Sequence, residues 1–186
     1  MNTSRYGNAA RVLHWLMAGL ILLTVPAGLI MVQAGIDRDL QNALFIYHKN
    51  VGVCLLILMM FRLVVRWRNP PPAGPSEPPL WQRRIAQVTH WVLYALLVIV
   101  PVAGLVRVRA GGFPIEALDA LGVPLFVPRS DTLAEQAKAV HHLAGLAIMA
   151  FIALHITAAL FHGLVKRDGV LSRMWPPFGG STRDPR

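Results

Sequence analysis

The chain has 186 residues, 55% of them hydrophobic and 15% charged, with a mean hydropathy of +0.50 and a formal net charge of +9. The apolar residues gather into runs long enough to cross a bilayer, which excludes an ordinary soluble globule and points to an integral membrane protein. The positive charges flank these runs and form no basic face with interleaved aromatics, so they read as membrane topology and exclude a nucleic-acid partner.

The first apolar run covers about residues 11–31, follows Arg5 and Arg11, and opens on His14-Trp15. A basic stretch, an apolar stretch and Val32-Gln33-Ala34 in that order also suit a secretory signal peptide, but the run is long for one and three more follow it. Pro26 and Gly28 are expected to bend this helix, as membrane spans tolerate. A polar loop with Asp37, Arg38 and Asp39 leads to the second run, about 44–65. His48-Lys49 lies near its start, and Gly52, one turn on, is expected to let another surface approach the backbone. Arg62, Arg66 and Arg68 close the run, with Trp67 as an interfacial anchor. Residues 69–79 contain six prolines and form a stiff linker.

Arg83 and Arg84 precede the third run, about 85–106, which has His90-Trp91 near its start and Pro101 near its end. The longest loop follows, over 107–138. Within it, residues 114–121 predict a short interfacial helix with a proline in its first turn and Gly122 as its stop. Thr-Leu-Ala-Glu at 132–135 fits a capping box, so the fourth helix begins before its apolar run at about 138–165. Lys166 and Arg167 end it, and a polar tail with Pro176, Pro177, Gly179 and Gly180 follows.

The expected fold is all-α: an integral membrane four-helix bundle forming one domain over residues 1–186, with the two termini on one side of the lipid bilayer. Twelve of the 18 Lys and Arg residues fall at the ends of the spans on that side: Arg5, Arg11, Arg62, Arg66, Arg68, Arg83, Arg84, Lys166, Arg167, Arg173, Arg183 and Arg186. Six fall on the other: Arg38, Lys49, Arg107, Arg109, Arg129 and Lys138. The positive-inside rule therefore puts both termini in the cytoplasm.

With that topology the histidines fall into two layers. His141 and His155 are 14 residues apart on the fourth span, close to four helical turns, so they share a face about 21 Å apart along the axis. His48 and His141 lie in the outer layer, His14 and His155 in the inner one. Two imidazoles from different helices suit the two axial positions of a low-spin b-type heme held within a bundle. The single cysteine, Cys54, rules out the C-x-x-C-H attachment of a c-type heme, so ligation and packing alone would hold the group. His142 is rotated about 100° from His141 and points elsewhere. Zinc or di-iron chemistry would want carboxylates or thiolates in these layers, and the spans offer none there. His162 lies seven residues beyond His155, so it can replace His155 as a ligand. Alternatively, His90 and His162 line a quinone pocket, supplying hydrogen bonds and protons, or they meet heme propionates or lipid headgroups.

The motifs that carry a family likeness are R-V-L-H-W at 11–15, H-K-N-V-G at 48–52, F-R-L-V-V-R-W at 61–67, H-W-V-L-Y at 90–94 with V-P-V-A-G-L at 100–105, and G-L-A-I-M-A-F-I-A-L-H-I-T-A-A-L-F-H ending at His162. In order and spacing they resemble the bacterial cytochrome b561 family of four-helix, di-heme b proteins of the inner membrane. Most similar are its stand-alone members that oxidise superoxide at the periplasmic face and reduce ubiquinone through two hemes. The resemblance implies an oxidoreductase with two non-covalent heme b groups on His14, His48, His141 and His155, and with His90 and His162 at the ubiquinone. The chain departs from a close relative's Trp-His-Glu with Val140-His141-His142. Lys49, Arg107 and Arg109 lie on the outer side, where positive charge would draw in superoxide, although nearby acids nearly balance them. The alternative function is an electron-transfer subunit linking a periplasmic dehydrogenase or hydrogenase to the quinone pool, in which case a redox protein docks on the outer face. A non-redox scaffold with structural histidines is the remaining alternative.

Overall fold

The computed structural model describes residues 5–70, 72, 79–124 and 126–175. The polar tail beyond Trp175 and most of the proline-rich linker lie outside the described residues. The order is α1 (Asn8–Ile30), α2 (Arg38–Arg68), α3 (Leu80–Ala110), the short α4 (Glu116–Ala120) and α5 (Asp131–Leu160). A π-helical turn (Phe161–Lys166) and a 3-10 turn (Leu171–Arg173) follow, and there is no strand among the described residues.

The helices outrun the apolar windows because polar residues build their ends. Asp37 accepts hydrogen bonds from the N–H groups of Asp39 and Leu40, both at 3.0 Å. Arg38 and Asp39, expected in a loop, are therefore the first turn of α2. Pro79 precedes α3, which starts five residues ahead of its apolar run, at Leu80. Ser130 caps α5 by accepting from Leu133 N–H at 3.3 Å. The cap thus lies two residues before the expected box, and Glu135 pairs with Lys138 at 3.0 Å instead of reaching back. The expected helix at 114–121 forms over its middle, and Gly122, at φ 65°, turns the chain out of it.

Four helices, the last running on through Lys166, are long and apolar enough to cross a membrane. Their outward faces carry Leu22, Leu23, Ile57, Phe61, Val88, Leu143 and Leu164, all exposed. Water would not tolerate that surface, whereas lipid is its natural solvent. The buried cluster is small: Met17 of α1 with Leu55 and Met59 of α2, backed by Tyr94, Leu97 and Val98 of α3.

The packing divides the bundle into two layers. α1 packs on α2 and α3 on α5, while α2 against α3 joins the layers. Neither α1 nor α2 makes more than a few close backbone approaches to α5. The first and last described segments meet at one end of the bundle. There Tyr6 N–H donates to Arg173 O at 3.2 Å and Trp15 Nε1–H donates to Met174 O at 2.9 Å. Arg173 also donates to the carbonyl of Pro72 in the linker.

Candidate functional site

The histidine rings occupy the space between the two layers. At the end near α4, His48 of α2 faces His141 of α5, with ring centroids 6.0 Å apart and planes at 81°. Nδ1 of His48 lies 3.0 Å from Thr24 O, and Nδ1 of His141 lies 2.8 Å from Val100 O. A carbonyl only accepts, so each ring carries its proton on Nδ1 and presents the lone pair of Nε2. That is the state in which imidazole binds a metal, with the second nitrogen anchored.

The anchoring carbonyls are reachable because a glycine follows each by one turn. A helical side chain covers the turn that precedes its own Cα. A Cβ at Gly28 would lie 2.6 Å from His48 Cε1, and one at Gly104 would lie 3.0 Å from His141 Cε1. A Cβ at Gly52, expected to admit a neighbouring surface, would meet no other helix or side chain within 4 Å. It opens instead onto a cavity of about 590 Å³ that is lined by both rings, Gly104, Lys49, Arg107 and Lys138.

At the opposite end, His14 of α1 faces His155 of α5 at 6.1 Å and 82°, nearly the same geometry as the first pair. His90 of α3 also lies against His155, at 5.6 Å and 68°. Arg62 donates to Ala10 O at 3.1 Å and reaches within 3.3 Å of His14 Nδ1. A guanidinium only donates, so this contact favours the proton on Nε2 of His14. At that length the contact is weak, and it would not prevent Nε2 from serving as a ligand.

Both pairs have the dimensions of an axial couple. A ring nitrogen about 2 Å from a metal on each side puts the two ring centroids roughly 6 Å apart. No group of three or more His, Cys, Asp or Glu side chains converges among the described residues, so the donor sets come as pairs of imidazoles. A square-planar macrocycle that leaves two axial positions open suits such pairs. The residues therefore fit heme b.

The remaining expected site residues are placed as follows. His142 is exposed and makes no ring contact with His48. His162 lies beside Phe161 and pairs with Asp168, Nδ1 to Oδ2, at 2.5 Å. His90 packs on His155, and no contact joins it to His162. Lys49 donates to Glu116 at 2.7 Å and to Pro114 O at 2.8 Å. Arg109 is buried and pairs with Asp119 at 2.6 Å, away from the cavity lining. Arg107 lines the cavity beside both rings. The hydrogen bond from Arg109 holds the Asp119 carboxyl below the ordinary carboxylate range.

Sequence reasoning missed Arg62 and Asp168 as partners of histidine, and Gly28 and Gly104 as the rings' backing. The signal for Arg62 was present, as a charge one turn inside an apolar run; it was read only as a topology marker.

Comparison with known proteins gives one family and several relatives. The family model described as prokaryotic cytochrome b561 matches residues 5–177. A probable superoxide oxidase of Yersinia pestis is 33% identical over 171 residues, covering 88% of this chain and 92% of that protein. Cytochrome b561 homolog 2 of Escherichia coli is 29% identical, covering 91% of this chain and 90% of that protein. Cytochrome b562 of Cereibacter sphaeroides is 28% identical, covering 89% and 91%.

Proposed function

This chain belongs to the prokaryotic cytochrome b561 family, a family of membrane electron carriers that implies heme b, and on that premise we propose that it oxidises superoxide and reduces ubiquinone. In this reading His48 with His141 holds one heme b and His14 with His155 the other. The observation that carries it is the pair of matched imidazole couples spanning the two helix layers, 6.0 Å and 6.1 Å apart. The 33% identity to a probable superoxide oxidase supports the choice of donor. Four membrane-capable helices in a prokaryotic family suggest the bacterial inner membrane. The Lys and Arg distribution supports cytoplasmic termini, with the α4 end in the periplasm.

Heme b, when bound, takes up and releases one electron at a time without transferring an atom. The chain's own residues do the rest. Thr24 O and Val100 O fix the tautomers of His48 and His141. Arg107 and Lys138 add positive charge at the cavity, where an anion would approach. Lys49 lies there too, steadied by Glu116, while Arg109 clamps the adjoining loop. Two superoxide anions leave as dioxygen, and their two electrons with two protons convert ubiquinone to ubiquinol. At the other end His90 and His162 offer the hydrogen bonds and protons a quinone needs.

The test is a superoxide flux delivered to the purified di-heme protein with ubiquinone present. The expected result is a reduced α-band within the mixing time and ubiquinol as product. A protein that stays oxidised under superoxide, yet is readily reduced by ordinary quinol, defeats the reading. Heme content should fall from two to one in His48→Ala and likewise in His155→Ala.

A further inference from the structure

At the end of the bundle away from α4, the helical path changes abruptly after Leu160. The last turn, Phe161–Lys166, is π-helical, a form that is rare and concentrated at functional sites. Arg167 then takes a left-handed conformation at φ 52°, and Gly169 another at φ 81°. A non-glycine residue there is costly and persists only where its surroundings impose it. The outcome of these two turns is the position of Asp168. Its Oδ1 accepts Val170 N–H at 3.2 Å, and its Oδ2 lies 2.5 Å from His162 Nδ1. Both carboxylate oxygens are thus fixed, and the Nε2 edge of His162 is left for another partner. The same segment continues to Met174 and Trp175, which meet Trp15 beside His14. The segment that carries the pair therefore ends against the turn of α1 that holds His14.

We infer that His162 and Asp168 form an imidazole–carboxylate dyad that delivers protons to a carbonyl oxygen of a lipid-soluble quinone. His162 is the catalytic donor and Asp168 a positioning residue. The inference rests on the quinone-reducing reading above. In the step, the Nε2–H bond of the His162 imidazolium breaks and an O–H bond forms on the quinone oxygen. The positive charge on the ring is lost as the reduced oxygen's negative charge is neutralised. The two electrons come from the superoxide donor, and the second proton follows the same route after the ring is recharged. Asp168 keeps the Nδ1–H bond throughout and takes no proton itself. Water reloads the ring, whose side chain is 21% exposed. Desolvation pushes the Asp168 carboxyl up, but the hydrogen bonds from His162 and Val170 hold it below its ordinary range, so it is anionic at neutral pH. The other charges of this segment are Lys166, which donates to Gln82 of α3, Arg167, hooked to Leu164 O, and Arg173, which lies over the Tyr6 ring.

The test uses the full-length di-heme protein, reduced with dithionite and mixed anaerobically with ubiquinone-1, with heme reoxidation followed by stopped flow. Asp168→Asn can still accept from Nδ1–H but cannot stabilise the imidazolium. It should keep two hemes and normal reduction by superoxide, yet be reoxidised about tenfold or more slowly at pH 8. Its rate should also depend on pH differently from that of wild type, which a merely structural role for Asp168 would not produce. Asp168→Glu should recover part of the rate. If Asp168→Asn does not hold its hemes, Asp168→Glu alone must still show a shifted pH profile, and an unshifted one overturns the dyad. Equal rates and profiles in Asp168→Asn and wild type also overturn it. A wild type that ubiquinone-1 fails to reoxidise overturns the quinone-reducing reading and the dyad with it.

Discussion

The α4-end pair is built by one local arrangement used twice. On α1 the carbonyl of Thr24 and the glycine at 28, and on α3 the carbonyl of Val100 and the glycine at 104, let a histidine ring settle against a helix backbone. A methyl group is enough to disturb it. In Gly28→Ala the new Cβ would meet His48 Cε1 at 2.6 Å, closer than carbon atoms pack, so the ring would have to leave its place. The expected outcome is loss of one heme of two, read as a halved pyridine-hemochrome value with the other heme's spectrum intact. Gly104→Ala, with 3.0 Å to His141, should weaken retention less. Gly19→Ala, which meets nothing within 4 Å, should keep both hemes. The pairing of the histidines was legible because an imidazole inside an apolar run is costly without a partner, and the turn count sets its depth. The glycines were not, since a helix sequence does not reveal which neighbour crosses its surface. Gly28 looked like a bend, and the fitting role was expected of Gly52, which lines the cavity and meets no neighbouring helix. Likewise, the charge of Arg62 was visible, but its reach to His14 depends on how α1 and α2 pack.

At the scale of elements, α4 is a cover held by acids. Glu116 takes hydrogen bonds from Lys49 and from Asn50 Nδ2, each at 2.7 Å, and Asn50 Oδ1 accepts Ala117 N–H at 2.8 Å. Arg109 holds Asp119 from the end of α3. Desolvation raises the Glu116 carboxyl, but these hydrogen bonds hold it below its usual value, and the bond from Arg109 does the same for Asp119. Folded pKa values below the unfolded ones mean that this docking is at full strength above about pH 5, clear of the ordinary carboxylate values. It is lost only as the pH drops through the lower folded values. A fluorophore at Leu121→Cys, in a Cys54→Ala background, should therefore keep its anisotropy from pH 8 to pH 5 and lose it below about pH 4. Asp119→Asn should lower the anisotropy already at pH 7. Helix existence was legible throughout from apolar length, and α4 from its proline and glycine punctuation. The early starts of α2 and α3 were not, because a capped polar turn reads as loop when only hydropathy is followed. The π-helical turn was not read from the sequence, and it lies in the segment where His162 meets Asp168.

The whole molecule is two helix pairs with a slot between them. The orientation expected from its charges predicts that a C-terminal green fluorescent protein fusion glows and a C-terminal alkaline phosphatase fusion stays inactive. The slot leads to a stronger prediction. In a bilayer, lipid tails are as apolar as leucine, so helices do not gather to escape water; they associate through packing and polar contacts. Between α1–α2 and α5 such packing is sparse, and the imidazole couples stand across the space instead. A group that binds only the folded chain adds stability in proportion to RT ln(1 + [L]/Kd), about 4 kcal/mol for each site filled at a thousand times its Kd. Two such groups bridging two layers should supply much of what holds the layers together. Protein made under heme limitation should therefore melt well below the holoprotein and be cut readily by protease. Its far-UV circular dichroism should change little, because α1 with α2 and α3 with α5 keep their own contacts. His48→Ala, with one heme, should fall between the two. An apoprotein that melts with the holoprotein would mean that the layers close on each other unaided. The gap would then be a packing feature of the bundle and no slot for a prosthetic group.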